Sequence, residues 1–387
     1  MKIAFLVRSA PPVIDGVGEY TYHLTHSLRQ VGIDARIFTS TDQVAGKKIA
    51  DWIHPTIPRW TGESVAEALT SIATFRPDLC CFQYVPQMYG RRGFCWEASN
   101  IPIALKQNLK CCVATTFHEF IQAWKPNPKD IVLTSVMYLQ TRRLLAGCDL
   151  AITTCARYAK DLLTISTKPL PVMTIPVGAN IPPVEISPQR LTELRARYAL
   201  EGLKVFGVFG RLAPFRNYPT AVRTLAHAVR QGIKIRLMLI GCARSSNPTL
   251  FQELIQLAKK FGVEKQLVVT GDLSAEEVSN HLRLVDVFLF PLCDGLSTRN
   301  TTVMTAMAHG LPIIFYTPRP GNFEGYYIPH GCSVPMGDEE GFIHTAVSFL
   351  EKDLMRSSMD RQANVDYFQK NFSWSRIAEQ YRVALAW

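Results

Sequence analysis

Two arginines, Arg211 and Arg216, lie close together in the segment GRLAPFRN. This segment follows the apolar run Val205–Phe209, which predicts a buried β-strand. Two guanidinium groups in one loop at a strand end can grip a diphosphate through bidentate, charge-assisted hydrogen bonds. Either arginine alone would fit an ordinary surface position. Together they predict a phosphate-binding loop, in which Arg211 and Arg216 are the catalytic candidates.

A second candidate for phosphate binding is the stretch PLCDGLSTRNTTVMTAMAHGLP, which runs from Pro291 to Pro312. The apolar residues 287–290 predict a strand, and the spacing that follows predicts a helix from about Arg299 to His309. Gly310 stands where a helix commonly ends in a left-handed glycine. The start of such a helix presents unpaired backbone N–H groups and a positive dipole end, both of which bind anions. The structural alternative is an ordinary strand-to-helix turn.

Side chains of this stretch add hydrogen-bonding groups to the predicted helix start. Ser297 or Thr298 is the predicted N-cap, because its hydroxyl can accept a bond from an orphan N–H. Hydroxyl groups continue into the first helical turns. The candidate ligand-binding residues of this stretch are Asp294, Ser297, Thr298, Arg299, Asn300, Thr301, Thr302 and Thr305.

The N-terminal part of the chain predicts a βαβ unit. Lys2–Val7 is a strand pattern, PPVIDGVG up to Gly18 is a loop, and Tyr20–Val31 is a helix pattern followed by a second strand. Gly16 and Gly18 would let the backbone approach a ligand at the carboxyl end of the first strand, where open α/β sheets bind ligands. Both glycines are therefore candidate ligand contacts.

The same region argues against NAD. Thr21 stands where the third glycine of the dinucleotide fingerprint belongs, and no acidic residue ends the second predicted strand, Ala35–Thr39.

Further candidates follow two more predicted strands, Leu79–Phe82 and Val113–Thr116. His118 and Glu119 come just past the second of these, and Tyr84 and Tyr89 follow the first. A lone histidine is usually structural, but one at the end of a parallel strand is well placed for ligand contact. We expect a catalytic role for His118 and weaker acceptor-side roles for Tyr84, Tyr89 and Glu119. The region with RRG at Arg91–Gly93 and the KPNPK loop at Lys125–Lys129 predicts irregular structure, which could hold an acceptor groove or no site at all.

The elements that would position these residues form two domains. The chain has 387 residues and 47% hydrophobic composition, which is long for one core and suits two. A proline-rich segment, 168–188, predicts a linker, after which strands and helices alternate again. The predicted domains are 1–180 and 181–370, with the C-terminal helix 371–387 rejoining the first. Asp272 and Leu273 follow a strand of the second domain.

Composition narrows the partners and the compartment. The formal net charge is +10, but no run of basic residues stands out, which argues against nucleic acid. The surplus fits small anionic ligands or an acidic membrane surface. The ten cysteines show no metal-binding spacing and suggest a reducing compartment. The N-terminal apolar run is too short for a signal peptide, so we expect a cytoplasmic protein, with the inner face of the membrane as an alternative location.

In order along the chain, these segments resemble family 4 of the retaining GT-B glycosyltransferases, also called glycosyl transferases group 1. PPVIDGVGEY resembles its glycine loop, and TFHE its histidine segment. GRLAPFRN resembles the family's GRLxxxKG, with Arg216 in place of the lysine. VTGDLSAEEVSNHLRLVDVFLFP resembles its nucleotide-base segment, and AMAHGLPII resembles EAMACGxPVV. ITTCARYAKDL and IPVGANI also match. The resemblance covers essentially the whole chain.

The resemblance implies an α/β fold of the GT-B class, with two doubly wound Rossmann-like domains facing a central cleft and a C-terminal crossover helix. It implies a metal-independent hexosyltransferase that uses a nucleotide-diphosphate sugar, with UDP-glucose favoured by family frequency. His118 would contact the donor sugar, Arg211 and Arg216 the diphosphate, and Asp272 and Leu273 the base. No cofactor is implied. The implied acceptor is a glycan or lipid-linked glycan in polysaccharide biosynthesis.

The sequence departs from the family at two glutamates that the family usually carries here. Thr305 and Ser297 stand at those positions when the residues are counted back from AMAHG. Counted forward from Pro291, the loop is about two residues longer than in the family, so Asp294 could take part of the space of the missing first glutamate. We expect Thr305→Glu to be tolerated, because it restores the family's residue. A front-face mechanism survives the loss, since the leaving diphosphate itself can accept the acceptor's proton.

Two other function classes stay open. One is a degenerate nucleotide-sugar-binding partner subunit without activity. The other is a different enzyme on this fold, such as a sugar-nucleotide epimerase or a phosphorylase. A phosphorylase needs pyridoxal phosphate on a lysine, and no lysine lies near the candidate loops of the second domain.

Overall fold

The computed structural model describes residues 1–42, 48–120, 128–318, 326–353 and 358–384. Contacts divide the chain into two compact units. The first contains Met1–Val177 together with Trp374–Trp387, and the second contains Gly178–Ser373.

The first unit is built on a parallel sheet with helices between its strands. Among its described residues, the strands, numbered along the chain, are β1 (Lys2–Leu6), β2 (Asp34–Ser40), β3 (Ile53–Ile57), β4 (Leu79–Tyr84), β5 (Cys112–Phe117), β6 (Leu150–Thr153) and β7 (Val172–Thr174). The helices are α1 (Gly16–Gln30), α2 (Gly62–Phe75), α3 (Pro86–Tyr89), α4 (Ile101–Asn108), α5 (Pro128–Gly147), α6 (Ala156–Ile165) and α14 (Trp374–Ala384).

The strand order of this sheet is β3-β2-β1-β4-β5-β6-β7. All neighbouring strands run parallel; Ile3, for example, pairs with Ala35 on one side and Leu79 on the other. The order reverses between β1 and β4, and such a switch point is where doubly wound sheets bind ligands beyond the strand ends. The interior strands β4 and β6 are buried at every position, as a sheet covered by helices requires.

The second unit repeats this architecture. Its described strands are β8 (Lys204–Phe209), β9 (Ile235–Ile240), β10 (Leu267–Val269), β11 (Val287–Phe290), β12 (Ile313–Tyr316) and β13 (Gly331–Val334). Its helices are α7 (Pro188–Arg197), α8 (Tyr218–Arg230), α9 (Pro248–Lys260), α10 (Ala275–Leu282), α11 (Thr301–Ala308), α12 (Glu339–Asp353) and α13 (Ser358–Phe372). The parallel order β10-β9-β8-β11-β12-β13 places the switch point between β8 and β11. The two predicted phosphate loops directly follow these two strands.

The C-terminal helix α14 belongs to the first unit, where it packs against α1. Tyr381 is fully buried, and its hydroxyl lies 2.9 Å from that of Tyr20 on α1. Trp374 packs edge-on against Tyr20, with ring centroids 5.3 Å apart.

Each of the two units contains a doubly wound parallel sheet. The predicted GT-B fold class is therefore confirmed.

Local capping explains several helix starts. Asp15 caps α1 by accepting a bond of 2.7 Å from Gly18 N. Ser274 and Glu277 form a capping box at α10, in which each side chain accepts a backbone N–H.

The structure corrects two boundaries at the N-terminal glycines and the linker. Gly16 and Gly18 lie in the first turn of α1 rather than in a loop, because the Asp15 cap starts the helix earlier than the apolar spacing suggests. The predicted linker 168–188 contains β7, which pairs with β6. The three residues of β7 carry too little pattern to be recognised as a strand among prolines.

The segment predicted to be irregular contains α4, and α5 begins at its end, at Pro128; residues 121–127 lie outside the described part. All ten cysteines are free thiols. In the part of the chain that the structure describes, no helix is long and apolar enough to cross a bilayer.

Candidate functional site

The second unit brings Arg216 to the start of α11. Arg216 lies in a short 3₁₀ turn, Pro214–Arg216, after β8. Its Nη1 donates to the carbonyl of Phe209 at 3.0 Å and to Oγ1 of Thr302 at 3.2 Å. The guanidinium is therefore fixed between the end of β8 and the first turn of the helix that follows β11.

The other edge of this guanidinium is unpaired but partly buried. Nε is buried, and neither Nε nor Nη2 of Arg216 has a hydrogen-bond partner among the described residues. The Nε–Nη2 edge is the one that binds two oxygens of an oxyanion side-on. Arg211 is exposed, and its side chain makes no hydrogen bond within the described part of the chain. Both arginines thus keep unpaired donors, of which those of the exposed Arg211 are accessible to a ligand.

Backbone geometry holds this loop close to the strand end. Gly210 has φ +121°, and a Cβ there would come within 2.7 Å of Cζ of Arg216. The hydroxyl of Tyr218 donates to the carbonyls of Gly210 and Arg211 at 2.8 and 3.1 Å. Burial raises the pKa of Tyr218 well above its ordinary value, so it stays a neutral donor. Glycine is needed here because a side chain would displace Arg216.

The helix start differs from the prediction at its cap. Asn300, rather than Ser297 or Thr298, is the N-cap of α11, and it makes no side-chain capping bond to the helix. Its Oδ1 instead accepts from Ser297 N at 2.7 Å, which turns the amide back into the preceding loop. The prediction was wrong because this loop closes on itself before the helix begins, with Asn300 N bonded to Ser297 O at 3.1 Å.

The missing cap leaves donors at the helix start. The backbone N–H groups of Thr301 and Thr302 have no partner among the described residues. The guanidinium of Arg216 lies against the same turn, next to the positive end of the helix dipole. Two positive potentials side by side favour a bound anion, and a phosphate group satisfies both the amides and the guanidinium.

The other predicted residues of this loop occupy separate positions. Asp294 is exposed and pairs with Arg299, at 3.5 Å between Oδ2 and Nη2. Thr298 is buried. Thr305 lies on the inner side of α11, with 1% of its surface exposed, and its buried hydroxyl has no hydrogen-bond partner among the residues that the structure describes.

The burial of Thr305 corrects the expected tolerance of Thr305→Glu. A carboxylate would enter a closed position without a described counter-charge, which costs stability. Asp272 is exposed and Leu273 half-buried, just before the cap of α10, and no hydrogen bond joins them to the arginine loop or to α11.

In the first unit, His118 directly follows β5, as predicted. Its Nε2 lies 2.9 Å from Oε1 of Gln83, and its ring packs edge-on against Tyr20, with centroids 4.7 Å apart. Burial lowers the pKa of His118 from 6.5 to about 3, so the ring is neutral at physiological pH.

Gln83 fixes the proton on this histidine. Its Nε2 donates to Cys81 Sγ and Thr116 Oγ1, both at 3.2 Å, which turns Oε1 toward His118 as an acceptor. His118 Nε2 must therefore carry the hydrogen, and Nδ1 is left as an acceptor. Gln83 is not among the residues predicted from the sequence. A polar glutamine within the apolar strand LCCFQY could have indicated it, because a buried polar side chain needs a hydrogen-bond partner.

The remaining predicted residues of the first unit take structural or exposed positions. Tyr84 is a core residue with 0% exposure, and its hydroxyl contacts Cys95 Sγ, so the structure gives it a packing position rather than an acceptor-facing one. Tyr89 packs partly buried on the same core and donates to the carbonyl of Gln83 at 2.6 Å. Glu119 is exposed.

Gly18 has a packing reason of its own. A Cβ there would lie 2.6 Å from the carbonyl oxygen of Ser9, whereas Gly16 has open space around it. Gly18 therefore lets α1 approach the end of β1, and of the two glycines only Gly16 leaves room beside the helix start. Among the described residues, no group of three or more acidic, histidine or cysteine side chains could hold a metal ion.

Comparison with known proteins agrees with this geometry. Residues 203–352 match the family model "Glycosyl transferases group 1", a range that contains Arg211, Arg216 and α11.

Similar proteins have been found by sequence and by structure. A GDP-mannose-dependent alpha-(1-6)-phosphatidylinositol monomannoside mannosyltransferase of Mycolicibacterium smegmatis is 25% identical over 289 residues, 72% of each chain. Its counterpart from Mycobacterium tuberculosis is 26% identical over 179 residues, 45% of each chain.

Among solved structures, a sucrose-phosphate synthase from Thermosynechococcus elongatus matches with TM-score 0.74 and 19% identity, over 100% of this chain and 99% of the other. Anabaena HepE in complex with UDP and glucose matches with TM-score 0.72 and 14% identity, over 100% and 99%.

Proposed function

We propose that this chain, a glycosyltransferase of the GT-B type that resembles the glycosyl transferases group 1 family, moves a hexose from a nucleotide-diphosphate sugar to a glycan or lipid-linked glycan acceptor, with retention of configuration. The observation that carries the proposal is the contact between Arg216 and Thr302 at the uncapped start of α11. Guanidinium donors and free helix amides converge there on one anion-binding position.

The proposed steps of the reaction follow from the negative charge that develops on the leaving diphosphate. The acceptor hydroxyl oxygen forms a bond to the anomeric carbon while the bond from that carbon to the diphosphate breaks. The proton of the hydroxyl passes to a departing diphosphate oxygen, so no carboxylate base is needed. Arg211, Arg216 and the amides of Thr301 and Thr302 stabilise the negative charge that grows on the diphosphate.

His118 has a different role in this proposal, as a contact for the transferred sugar. Its neutral Nδ1 accepts a hydrogen bond from a sugar hydroxyl, while Nε2–H is held by Gln83. Asp272 and Leu273 offer backbone contacts to the base, whereas the buried hydroxyl of Thr305 can reach the ribose only if α11 moves on donor binding. Gly16, Asp294, Ser297, Thr298, Arg299 and Asn300 complete the proposed donor contacts.

Two donors compete. UDP-glucose is the expectation by family frequency, and GDP-mannose is favoured by the mycobacterial relatives, which are GDP-mannose-dependent. We would incubate the purified chain with each sugar nucleotide and measure both thermal stabilisation and release of free nucleoside diphosphate. Release from one donor supports a transferase and identifies its substrate. Stabilisation without release would support the degenerate binding subunit, and isomerised nucleotide sugar would support an epimerase.

We also propose that catalysis needs no divalent metal ion, since Arg211 and Arg216 supply the positive charge that a metal would otherwise give the diphosphate. Diphosphate release should persist in excess chelator. Loss of release that only Mg²⁺ or Mn²⁺ restores would overturn this part of the proposal.

A further inference from the structure

The outer face of α5 is apolar, which is unusual for a helix on a protein surface. Between Lys129–Asp130 and Arg142–Arg143 the helix carries no charged residue. Its inner face already buries side chains such as Met137 and Leu144. A surface helix normally turns a polar face outward, so large apolar side chains on the exposed face of α5, beside the exposed Ser135, indicate a surface that binds a partner.

Four large apolar side chains lie on this outer face: Ile131 is 44%, Val132 59%, Tyr138 38% and Leu139 48% exposed. Ile131 and Val132 are neighbours, and Tyr138 and Leu139 follow them seven positions later, which is about two helical turns. The four side chains therefore lie in a single stripe along the helix. We name this stripe, with the residues below that extend it, the α5 face.

Trp96 extends the α5 face at its C-terminal end. The side chain of Gln140 bonds to Gly93 O at 3.0 Å and to Cys95 N at 2.9 Å, which anchors the preceding segment on α5. Trp96 is 45% exposed, and the guanidinium of Arg143 lies 5.3 Å from its ring. Tryptophan with an adjacent arginine is typical of the boundary between lipid and water.

The rim of the α5 face is positively charged. Five exposed basic side chains surround this face: Arg91, Arg92, Lys129, Arg142 and Arg143. The acidic residues near it, in the described part of the chain, are two, Glu97 and Asp130. A second copy of the chain would bring the same basic rim against itself, which is unfavourable. Anionic lipid headgroups complement the rim, while acyl chains take up the apolar side chains.

We propose that the α5 face docks this chain on the surface of an anionic bilayer. It would lie in the headgroup region with Val132 and Leu139 inserted and Arg142 and Arg143 bound to lipid phosphates. The proposal gives a surface to the lipid-linked acceptor of the proposed function, but bilayer binding is measured without donor or acceptor. Its failure and the failure of the transfer reaction are therefore distinguishable.

The test is sedimentation of the full chain with vesicles of phosphatidylcholine alone or mixed with phosphatidylglycerol. We expect binding to the mixed vesicles that weakens with salt. A Val132→Ser, Leu139→Ser double variant should bind at least ~10-fold more weakly, because the apolar contribution is removed. The matched control is Val383→Ser with Leu163→Ser, which changes a valine and a leucine, each 57% exposed, elsewhere in the same unit. It should bind like the parent.

A second variant keeps the test decisive if the double variant does not fold. Arg142→Glu should lower binding to phosphatidylglycerol vesicles and remove part of its salt dependence. Absence of parental binding, or equal loss in the α5 and control variants, would overturn the proposal. So would a parental dimer in sedimentation velocity that the α5 double variant alone dissociates, since the occupant would then be a second copy.

Discussion

Nε2 of His118 lies 2.9 Å from Oε1 of Gln83, and this hydrogen bond decides which ring nitrogen carries the proton. The amide of Gln83 is oriented in turn by Thr116, whose hydroxyl lies 3.3 Å from that of Tyr381 on the C-terminal helix. The tautomer of His118 therefore depends on residues that no ligand needs to touch, while its neutral state follows from burial.

Replacing Gln83 should change the charge of His118. In Gln83→Glu, a carboxylate would face Nε2–H and raise the pKa of His118 toward or above the ordinary range. NMR of ¹⁵N-labelled imidazole groups would follow the ring. We expect a neutral ring with the hydrogen on Nε2 in the parent, and a cationic ring at neutral pH in the variant. The exposed Gln189→Glu serves as control, and an unchanged His118 spectrum in Gln83→Glu would refute this arrangement.

The low pKa of His118 should make stability sensitive to acid. The folded pKa is about 3, against 6.5 for an ordinary histidine, so the unfolded chain takes up the proton first as pH falls. The contribution of His118 is complete above about pH 7 and is lost progressively as pH falls from about 6.5 toward 3. Between about pH 7 and pH 5 the loss from this one group should be about 2 kcal/mol.

Denaturant unfolding at those two pH values checks this expectation. His118→Asn should lose less stability on acidification than the parent, by about that amount. Other histidines with lowered pKa, among them His309, titrate in both proteins, so only the difference is assigned to His118. Equal pH dependence in parent and variant would show that His118 is not buried as a neutral ring.

Thr305 offers a test in which stability and binding move separately. Because its hydroxyl is buried without a partner, Thr305→Val should melt at or slightly above the parental temperature. If that hydroxyl serves the donor's ribose, KM for the donor should rise in the same variant. Thr305→Glu should instead lose about 3–5 kcal/mol, as for an unpaired buried charge. Parental stability with tighter donor binding in Thr305→Glu would restore the sequence-based expectation.

Gly210 is predicted to control the position of Arg216. In Gly210→Ala, the new Cβ would clash with the guanidinium, the mobile end of a flexible side chain, so Arg216 should move while the fold persists. Turnover should fall by about 10²-fold, as expected for a misplaced catalytic group. Gly202→Ala is the control, because Gly202 also has positive φ, +69°, but open space around it. Similar turnover in the two variants would mean that Arg216 does not act through this position.

The sequence predicted the architecture because apolar strand runs and helix spacing recur strongly in both units. β11, for example, begins and ends where the apolar residues 287–290 place it. Short elements such as β7 were not predicted, because three residues carry too little of the strand pattern to distinguish a strand from a loop.

The candidate site was predictable in its composition but not in its hydrogen bonding. Sequence spacing placed Arg216 and α11 at neighbouring strand ends. It could not show that Asn300 turns away from the helix, or that Arg216 rather than Arg211 contacts Thr302, since these depend on the loop conformation. Nor could periodicity distinguish the buried Thr305 from an exposed helix position.

The central claim is that Arg211 and Arg216 hold the donor diphosphate as negative charge develops on it. Arg216→Lys should retain more activity than Arg216→Ala, because lysine keeps the charge, whereas Arg211→Lys should be poorer because a point charge cannot replace a bidentate fork. Arg190→Ala, which removes an exposed arginine that pairs with Glu193 at 3.2 Å, is the control.

The most direct measurement is kcat for donor cleavage in Arg211→Ala and Arg216→Ala, each shown to melt near the parental temperature. Loss of one charge-stabilising donor of this kind typically costs ~3–4 kcal/mol, so kcat should fall by about 10²–10³ in each variant. Arg190→Ala should turn over like the parent. If both Arg211→Ala and Arg216→Ala also turned over like the parent, the diphosphate would bind elsewhere and the proposed site would be contradicted.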